Sequence, residues 1–145
     1  QTVSGWWKDT GKPEDILEAN QLVLSDLAPH NHGTLNERVT LTGRVSIGYR
    51  TTIESDCVLR GPIIIGDDCR IGPKTYVGPY TSIGDSVVVQ GCEIENSIVA
   101  ANAVLKCEGK IVDSLIGRNC RVLSSADMLP NGYKLIIGEN TFINL

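Results

Sequence analysis

Aromatic side chains are scarce in this chain of 145 residues, at 5% with a single Phe, while Gly reaches 15. With Ile and Val plentiful, that balance predicts many short strands around branched aliphatics and argues against a helical bundle. Positive charge is also in short supply: 13 Lys and Arg face 17 Asp and Glu, giving a net charge of -4 and a pI near 5.1. A phosphate-backbone binder needs a basic excess, so nucleic acid is not an expected partner. Long hydrophobic runs are missing, because Gly, Asp, Asn or Arg interrupts the apolar residues every few positions. A bilayer crossing needs roughly 20 apolar residues, so no membrane partner is expected and the protein reads as soluble. The chain shows no basic start followed by an apolar stretch, which makes the cytoplasm the expected compartment. It opens on Gln1 without an initiator Met and is expected to be a piece of a longer protein.

Cysteine pairs at metal-binding spacing are absent too. Cys57, Cys69, Cys92, Cys107 and Cys120 form an odd set with no C-x-x-C, which points away from a disulfide framework or a zinc site and toward inert buried thiols. The length fits one domain, or one domain with an appendage.

What the sequence does contain is a period. Aliphatic residues recur at every sixth position: Leu35, Leu41, Ile47, Ile53, Leu59, Ile65, Ile71, Val77, Ile83 and Val89. Gly follows at 48, 66, 72, 78 and 84, and the position four after the aliphatic is small or branched in most cases, as at Val45, Thr51, Cys57, Ile63, Cys69 and Thr75. Asp56, Asp68, Asn102, Asn119 and Asn140 stand three after an aliphatic, where a corner in left-handed backbone geometry favours Asn, Asp or Gly. The phase slips near Cys92, resumes at Val99, Leu105 and Ile111, slips again before Ile116-Gly117-Arg118-Asn119, and returns as Ile137 to Ile143 after a break at Pro130-Asn131-Gly132. Slips read as loops or bulges, and the break as a surface excursion.

A six-residue period fits neither an amphipathic helix nor a simple alternating strand. It resembles the hexapeptide repeat of left-handed parallel β-helices, in which three units make one triangular coil. The hand comes from that resemblance alone, since general connection rules favour right-handed crossovers. The expected fold is therefore mainly β, a left-handed parallel β-helix of about six coils over residues 35–145, on the order of 30 Å long, preceded by one short α-helix.

Residues 1–28 do not obey the period. Pro13 suits a first helical position and Glu14 and Asp15 suit a helix N-terminus, while Ile16, Leu17, Ala19, Leu22, Val23 and Leu27 supply an apolar face ending at Ala28-Pro29. The polar stretch 29–34, with His30 and His32, is expected to be a linker into the first coil. Trp6 and Trp7 call for packing against more than one helix.

The stretch Trp6-Trp7-Lys8-Asp9-Thr10-Gly11-Lys12-Pro13-Glu14-Asp15, followed by hexapeptide repeats and Gly61-Pro62-Ile63-Ile64-Ile65-Gly66, resembles the C-terminal part of the long-form glucose-1-phosphate thymidylyltransferases. The resemblance implies that residues 1–28 end a nucleotidyltransferase catalytic domain and that the parent joins dTTP to glucose 1-phosphate, giving dTDP-glucose and pyrophosphate. It implies Mg²⁺ in the parent, with Asp9 as the metal residue of this chain; a turn or helix-capping role is the alternative for Asp9. The Gly-rich nucleotide loop, the catalytic Arg and Lys and the second metal-binding Asp of the family are not in this sequence, so no catalytic or cofactor-binding residue is assigned and the chain alone is expected to be silent.

Three roles remain open at this point. The first is an assembly module, homo-oligomeric and expected to be a trimer through the β-helix. The second is an acyltransferase acetylating an amino-sugar phosphate; it wants a His base on a coil, and His30 and His32 precede the repeat. The third is an anion-sensing regulatory domain using Arg50, Arg60, Arg70 and Lys74.

Overall fold

The computed structural model describes residues 12–124, 133–136 and 138. Trp6, Trp7, Asp9, Asn140 and all but Gly138 of the expected last repeat lie outside them. Helix α1 spans Pro13–Ser25, with Pro13 in its first turn, Glu14 and Asp15 beside the positive end of the dipole, and Asp26 closing it. Its buried residues are Ile16, Leu17 and Leu24. The expected apolar face is therefore corrected: Leu22 and Val23 are 69% and 72% exposed, because the stripe runs through positions 16, 17, 20 and 24 and Leu22 points the other way.

The rest of the chain winds into a parallel β-solenoid with three faces. The first face is a six-stranded sheet in the order β1 (His30–Asn31), β4 (Val45–Ile47), β7 (Ile63–Ile65), β10 (Thr81–Ile83), β12 (Ile98–Val99) and β14 (Leu115–Ile116). These strands number the six turns. On the second face β2 (Thr34–Leu35), β5 (Thr52–Ile53) and β8 (Arg70–Ile71) lead to the first halves of β11 (Val88–Glu95) and β13 (Val104–Val112), then to β15 (Arg121–Ser124). The third face stacks β3 (Thr40–Thr42), β6 (Val58–Arg60) and β9 (Tyr76–Val77) on the second halves of β11 and β13. Strand β16 (Tyr133–Ile136) pairs antiparallel with β15 and covers the edge of the second face at that end.

The repeat supplies the core directly. Ile47, Ile65, Ile83, Val99 and Ile116 pair in register up the first face. Leu35, Ile53, Ile71, Val89, Leu105 and Val122 do so up the second, and Leu41, Leu59, Val77, Ile94 and Ile111 up the third. Burying each such side chain contributes roughly 1.5–3 kcal/mol. The slips are shortened units: Val89 to Ile94, Ile94 to Val99 and Ile111 to Ile116 each span five residues where the rest span six. Near Cys92 the shortening produces a bulge, in which Gly91 alone faces Cys107 and Glu108 of the next turn.

The corners explain the rest of the period. Asp56, Asp68, Asn102 and Asn119 have positive φ, as expected, and so do Arg38, Arg50, Lys74, Tyr80 and Ser86 on the same six-residue grid. A non-Gly residue in that region costs of order 1–3 kcal/mol. From Asp56 onward the backbone N–H of these corners donates to a carbonyl of the preceding turn, as Asp68 N does to Tyr49 O at 2.9 Å and Ser86 N to Asp67 O at 2.8 Å. The stretch expected as a linker belongs to the first turn: His30 and Asn31 pair with Ser46 and Ile47. Polar composition hid this, because the outer side of an end turn needs no apolar residue.

Helix α1 lies on the outside of the first face. Ile16 and Leu17 pack with Ile98, Ala100 and Leu115 in a small core separate from the solenoid interior. Asn20 fixes the helix further, donating from Nδ2 to Tyr80 O at 3.0 Å and accepting from Ser82 Oγ at 2.6 Å. Gln21 Nε2 donates to Asn96 Oδ1 at 2.9 Å.

Candidate functional site

Beside the helix, the first face carries a groove of about 380 Å³ whose walls are largely apolar, with Ile64, Gly66, Ser82, Ile98 and Ala101 among its lining residues. Asp85 and Arg118 are the charged groups in that lining. Its floor exists because the corner after each first-face strand begins with a small residue. A Cβ at Gly48 would collide with Asp67 Oδ1 and the Gly66 backbone, and one at Gly66 with Asp85 Oδ1. Those carboxylates serve the backbone: Tyr49 N donates to Asp67 Oδ1 and Asp67 N to Asp85 Oδ1, both at 2.8 Å. The column continues with Ala101, which has no side-chain acceptor, so the carboxylate ladder stops within the groove wall.

His30 and His32 stand on the first turn, away from the groove built by the third to sixth turns. Ser46 Oγ lies 2.8 Å from His30 Nε2 and 3.1 Å from Nδ1, and Ser46 is buried. His32 stacks on Tyr49 with ring centroids 4.3 Å apart. A histidine on a coil is thus present, but its observed partners are Ser46 and the tilted ring of His32, 4.9 Å away between centroids.

The four cations considered for anion sensing do not converge. Arg50 Nε bonds Asp68 Oδ1 at 2.7 Å across one corner, and Arg70 pairs with Glu54 at 3.6 Å on the second face. Arg60 sits over the Tyr76 ring, 5.9 Å from its centroid. Lys74 adds its charge to Asp56, which Arg38 bonds at 2.5 Å. The Arg38 hydrogen bond, with Lys74 assisting, holds the Asp56 carboxyl below the usual carboxylate range, and the Arg50 bond does the same for Asp68. On the third face Lys110 Nζ, at 2.9 Å, and the Tyr76 hydroxyl, at 2.8 Å, both donate to Glu95 and lower its pKa in that order of weight. Arg50 and Arg70 are paired with carboxylates, Arg60 lies over an aromatic ring, and Lys74 stands near Asp56 without an ion pair of its own among the described residues, so the four do not form a common anion cradle.

All five cysteines are buried. Burial pushes the Cys57 and Cys69 thiols up, so they stay protonated. Asp9, the residue tied to metal by the family resemblance, falls outside the described residues. Among the described residues no group of three His, Cys, Asp or Glu side chains is arranged to hold a metal ion, and no helix is long and apolar enough to cross a membrane.

Comparison with known proteins gives this geometry a context. Residues 59–144 match the model of the GMPPB C-terminal domain family. The chain is similar to the low-salt glycan biosynthesis nucleotidyltransferase Agl11 of Haloferax volcanii, 50% identical over 143 residues, which are 99% of this chain and 40% of that protein. It is also similar to a glucose-1-phosphate thymidylyltransferase of Streptomyces antibioticus, 37% identical over 99% of this chain and 39% of that one. The chain therefore spans about two fifths of the length of these curated relatives. Among solved structures, a maltose O-acetyltransferase from Clostridium difficile 630 overlaps 86% of each chain at 14% identity and a TM-score of 0.48.

Proposed function

The chain belongs to the GMPPB C-terminal domain family, and from that premise we propose that it is the assembly module of a sugar nucleotidyltransferase, joined upstream to its own catalytic domain. The observation that carries this reading is the match along nearly the whole chain, at 50% identity, to a nucleotidyltransferase of which it covers only 40%. The parent reaction is transfer of a nucleotidyl group from dTTP to glucose 1-phosphate: the sugar phosphate oxygen attacks the α-phosphorus and pyrophosphate leaves. A divalent cation neutralises the crowded phosphate charge in such reactions, and this chain contributes Asp9 toward Mg²⁺. Residues 1–28 close the catalytic domain, and the solenoid, entered at His30, holds copies side by side as a trimer. The cytoplasmic location expected from the sequence stays part of this proposal.

The dispersal of Arg50, Arg60, Arg70 and Lys74, with Arg50 and Arg70 engaged by carboxylates and Arg60 over a ring, favours assembly over anion sensing. The binding of His30 to Ser46 on the first turn, away from the groove, favours it over acetyl transfer.

The test compares the full-length protein with this chain alone, measuring pyrophosphate release from dTTP and glucose 1-phosphate with Mg²⁺, and mass by light scattering. Turnover is expected only from the full-length protein, and Asp9→Asn there should lower it by ~10-fold or more, the scale seen when metal-site partners are removed. This chain should scatter as three copies. Turnover by this chain alone, or the mass of a single chain, would overturn the reading.

A further inference from the structure

Two of the five buried thiols face each other. Cys92 on β11 and Cys107 on β13 belong to the fourth and fifth turns, flank the bulge at Gly91, and bring their sulfurs to 2.6 Å. Cys57 and Cys69 instead direct their thiols to backbone carbonyls, among them Ile71 O at 3.7 Å and Gly84 O at 3.0 Å. The one-residue shortening that breaks the repeat is what creates the pair. It leaves Gly91 opposite two residues, so that inward-facing sulfurs of successive turns meet where aliphatic rungs lie elsewhere.

We propose that Cys92 and Cys107 form a redox site, which a small peroxide converts into a disulfide stapling the fourth turn to the fifth. Cys92 lies diagonally from Cys107 across the bulge, and their sulfurs, already 2.6 Å apart, need close only by about half an ångström to reach the ~2.05 Å of a disulfide bond. Access comes from one side: Cys107 retains 6% exposure and Cys92 none. The contact between the two sulfurs holds Cys107 below its ordinary value, while the same contact and burial push Cys92 up. Cys107, the member of the pair that keeps exposure, is the attacking thiolate. Its sulfur attacks one peroxide oxygen, the O–O bond breaks, and with hydrogen peroxide the other oxygen leaves as water, giving a sulfenic acid. The Cys92 sulfur then attacks the sulfenic sulfur; the S–S bond forms, the S–O bond breaks, and a second water departs with the Cys92 proton. Two thiols lose one electron each, and the peroxide takes both. Because stability in a solenoid passes from turn to turn, the staple ties the half of the molecule below the bulge to the half above it.

The test uses the full 145-residue chain with hydrogen peroxide in modest excess, read by intact mass, peptide mapping and thermal unfolding. The expected result is loss of the mass of two hydrogens, a single cross-link between the peptides carrying Cys92 and Cys107, reversal by dithiothreitol, and a thermal midpoint raised by several degrees in the oxidised form. Cys107→Ser should abolish the mass loss, and Cys57→Ser should leave it unchanged. Oxygen adducts in place of the cross-link, or a cross-link between other cysteines, would overturn the proposal. Should Cys107→Ser fail to fold, the peptide map of the unsubstituted chain decides the matter alone.

Discussion

Glu95 shows how charge is managed on this scaffold at the scale of one residue. Its carboxylate accepts from Lys110 and from the Tyr76 hydroxyl, and those bonds hold its folded pKa below the ~4.3 of a free Glu. A depressed carboxylate pKa stabilises the fold above the unfolded value, and that contribution disappears as pH falls through the folded one. Glu95→Gln should therefore lower stability at pH 7 by about 1 kcal/mol or less, as expected for a partly exposed network. The gap to the unsubstituted protein should close on acidification from about pH 5 toward pH 3. Thermal unfolding at both ends of that range checks it; a gap that is the same at both would show that Glu95 acts by packing alone. The corner pairs Arg38 with Asp56 and Arg50 with Asp68 follow the same sign. Their partners stand eighteen residues apart, one full coil, so the charges that look free along the sequence are neighbours only after winding. That is why Arg50, one of the four proposed anion-binding cations, proved to be engaged by a carboxylate of the next coil.

At the scale of an element, the aliphatic ladders were legible because each rung is one residue type at one spacing. Ile94 escaped notice because its unit is a residue short, and so did the bulge beside it. Seven corner positions were missed: Asn96 and Asp113 because the shortened units shift them off the grid, and Arg38, Arg50, Lys74, Tyr80 and Ser86 because Arg, Lys, Tyr and Ser carry no local preference for positive φ; at Lys74, Tyr80 and Ser86 a turn-to-turn hydrogen bond, which sequence does not display, holds the corner. Helix α1 was legible in its start and extent, but not in its facing. Two apolar residues, Leu22 and Val23, stay exposed while Asn20 takes the contact with Ser82 and Tyr80. Leu17→Ser should loosen the helix from the first face and cost about 2–5 kcal/mol, the range for truncating a buried aliphatic, while Val23→Ser should change stability by less than about 0.5 kcal/mol. Denaturant unfolding of the two variants distinguishes them, and equal losses would mean that Val23 is covered by something not seen here. Asp9 was legible only through the family resemblance, since a single carboxylate before a helix start carries no spacing of its own.

The whole molecule behaves as a stack in which each turn is supported by its two neighbours, and this makes position along the axis an energetic variable. Ile65, at 1% exposure, has rungs below and above it; Leu35 belongs to the first turn and keeps 37% exposure, with no rung beneath it among the described residues. The same substitution should therefore have different consequences at the two sites. Ile65→Asp forces an unpaired carboxylate among Ile47, Ile83 and their neighbours, and the several kcal/mol lost are a large share of the ~5–15 kcal/mol that holds a domain folded. The turns on either side lose their contact as well, so the cooperative transition followed by circular dichroism should vanish or fall by well over ten degrees. Leu35→Asp can turn its carboxylate to water at the open end, and its midpoint should move by only a few degrees. A globular core without axial order would penalise both sites alike, and matching losses would contradict the stacked-turn account. Unequal losses would instead follow from a solenoid whose interior turns are coupled and whose first turn can fray without taking the fourth and fifth with it.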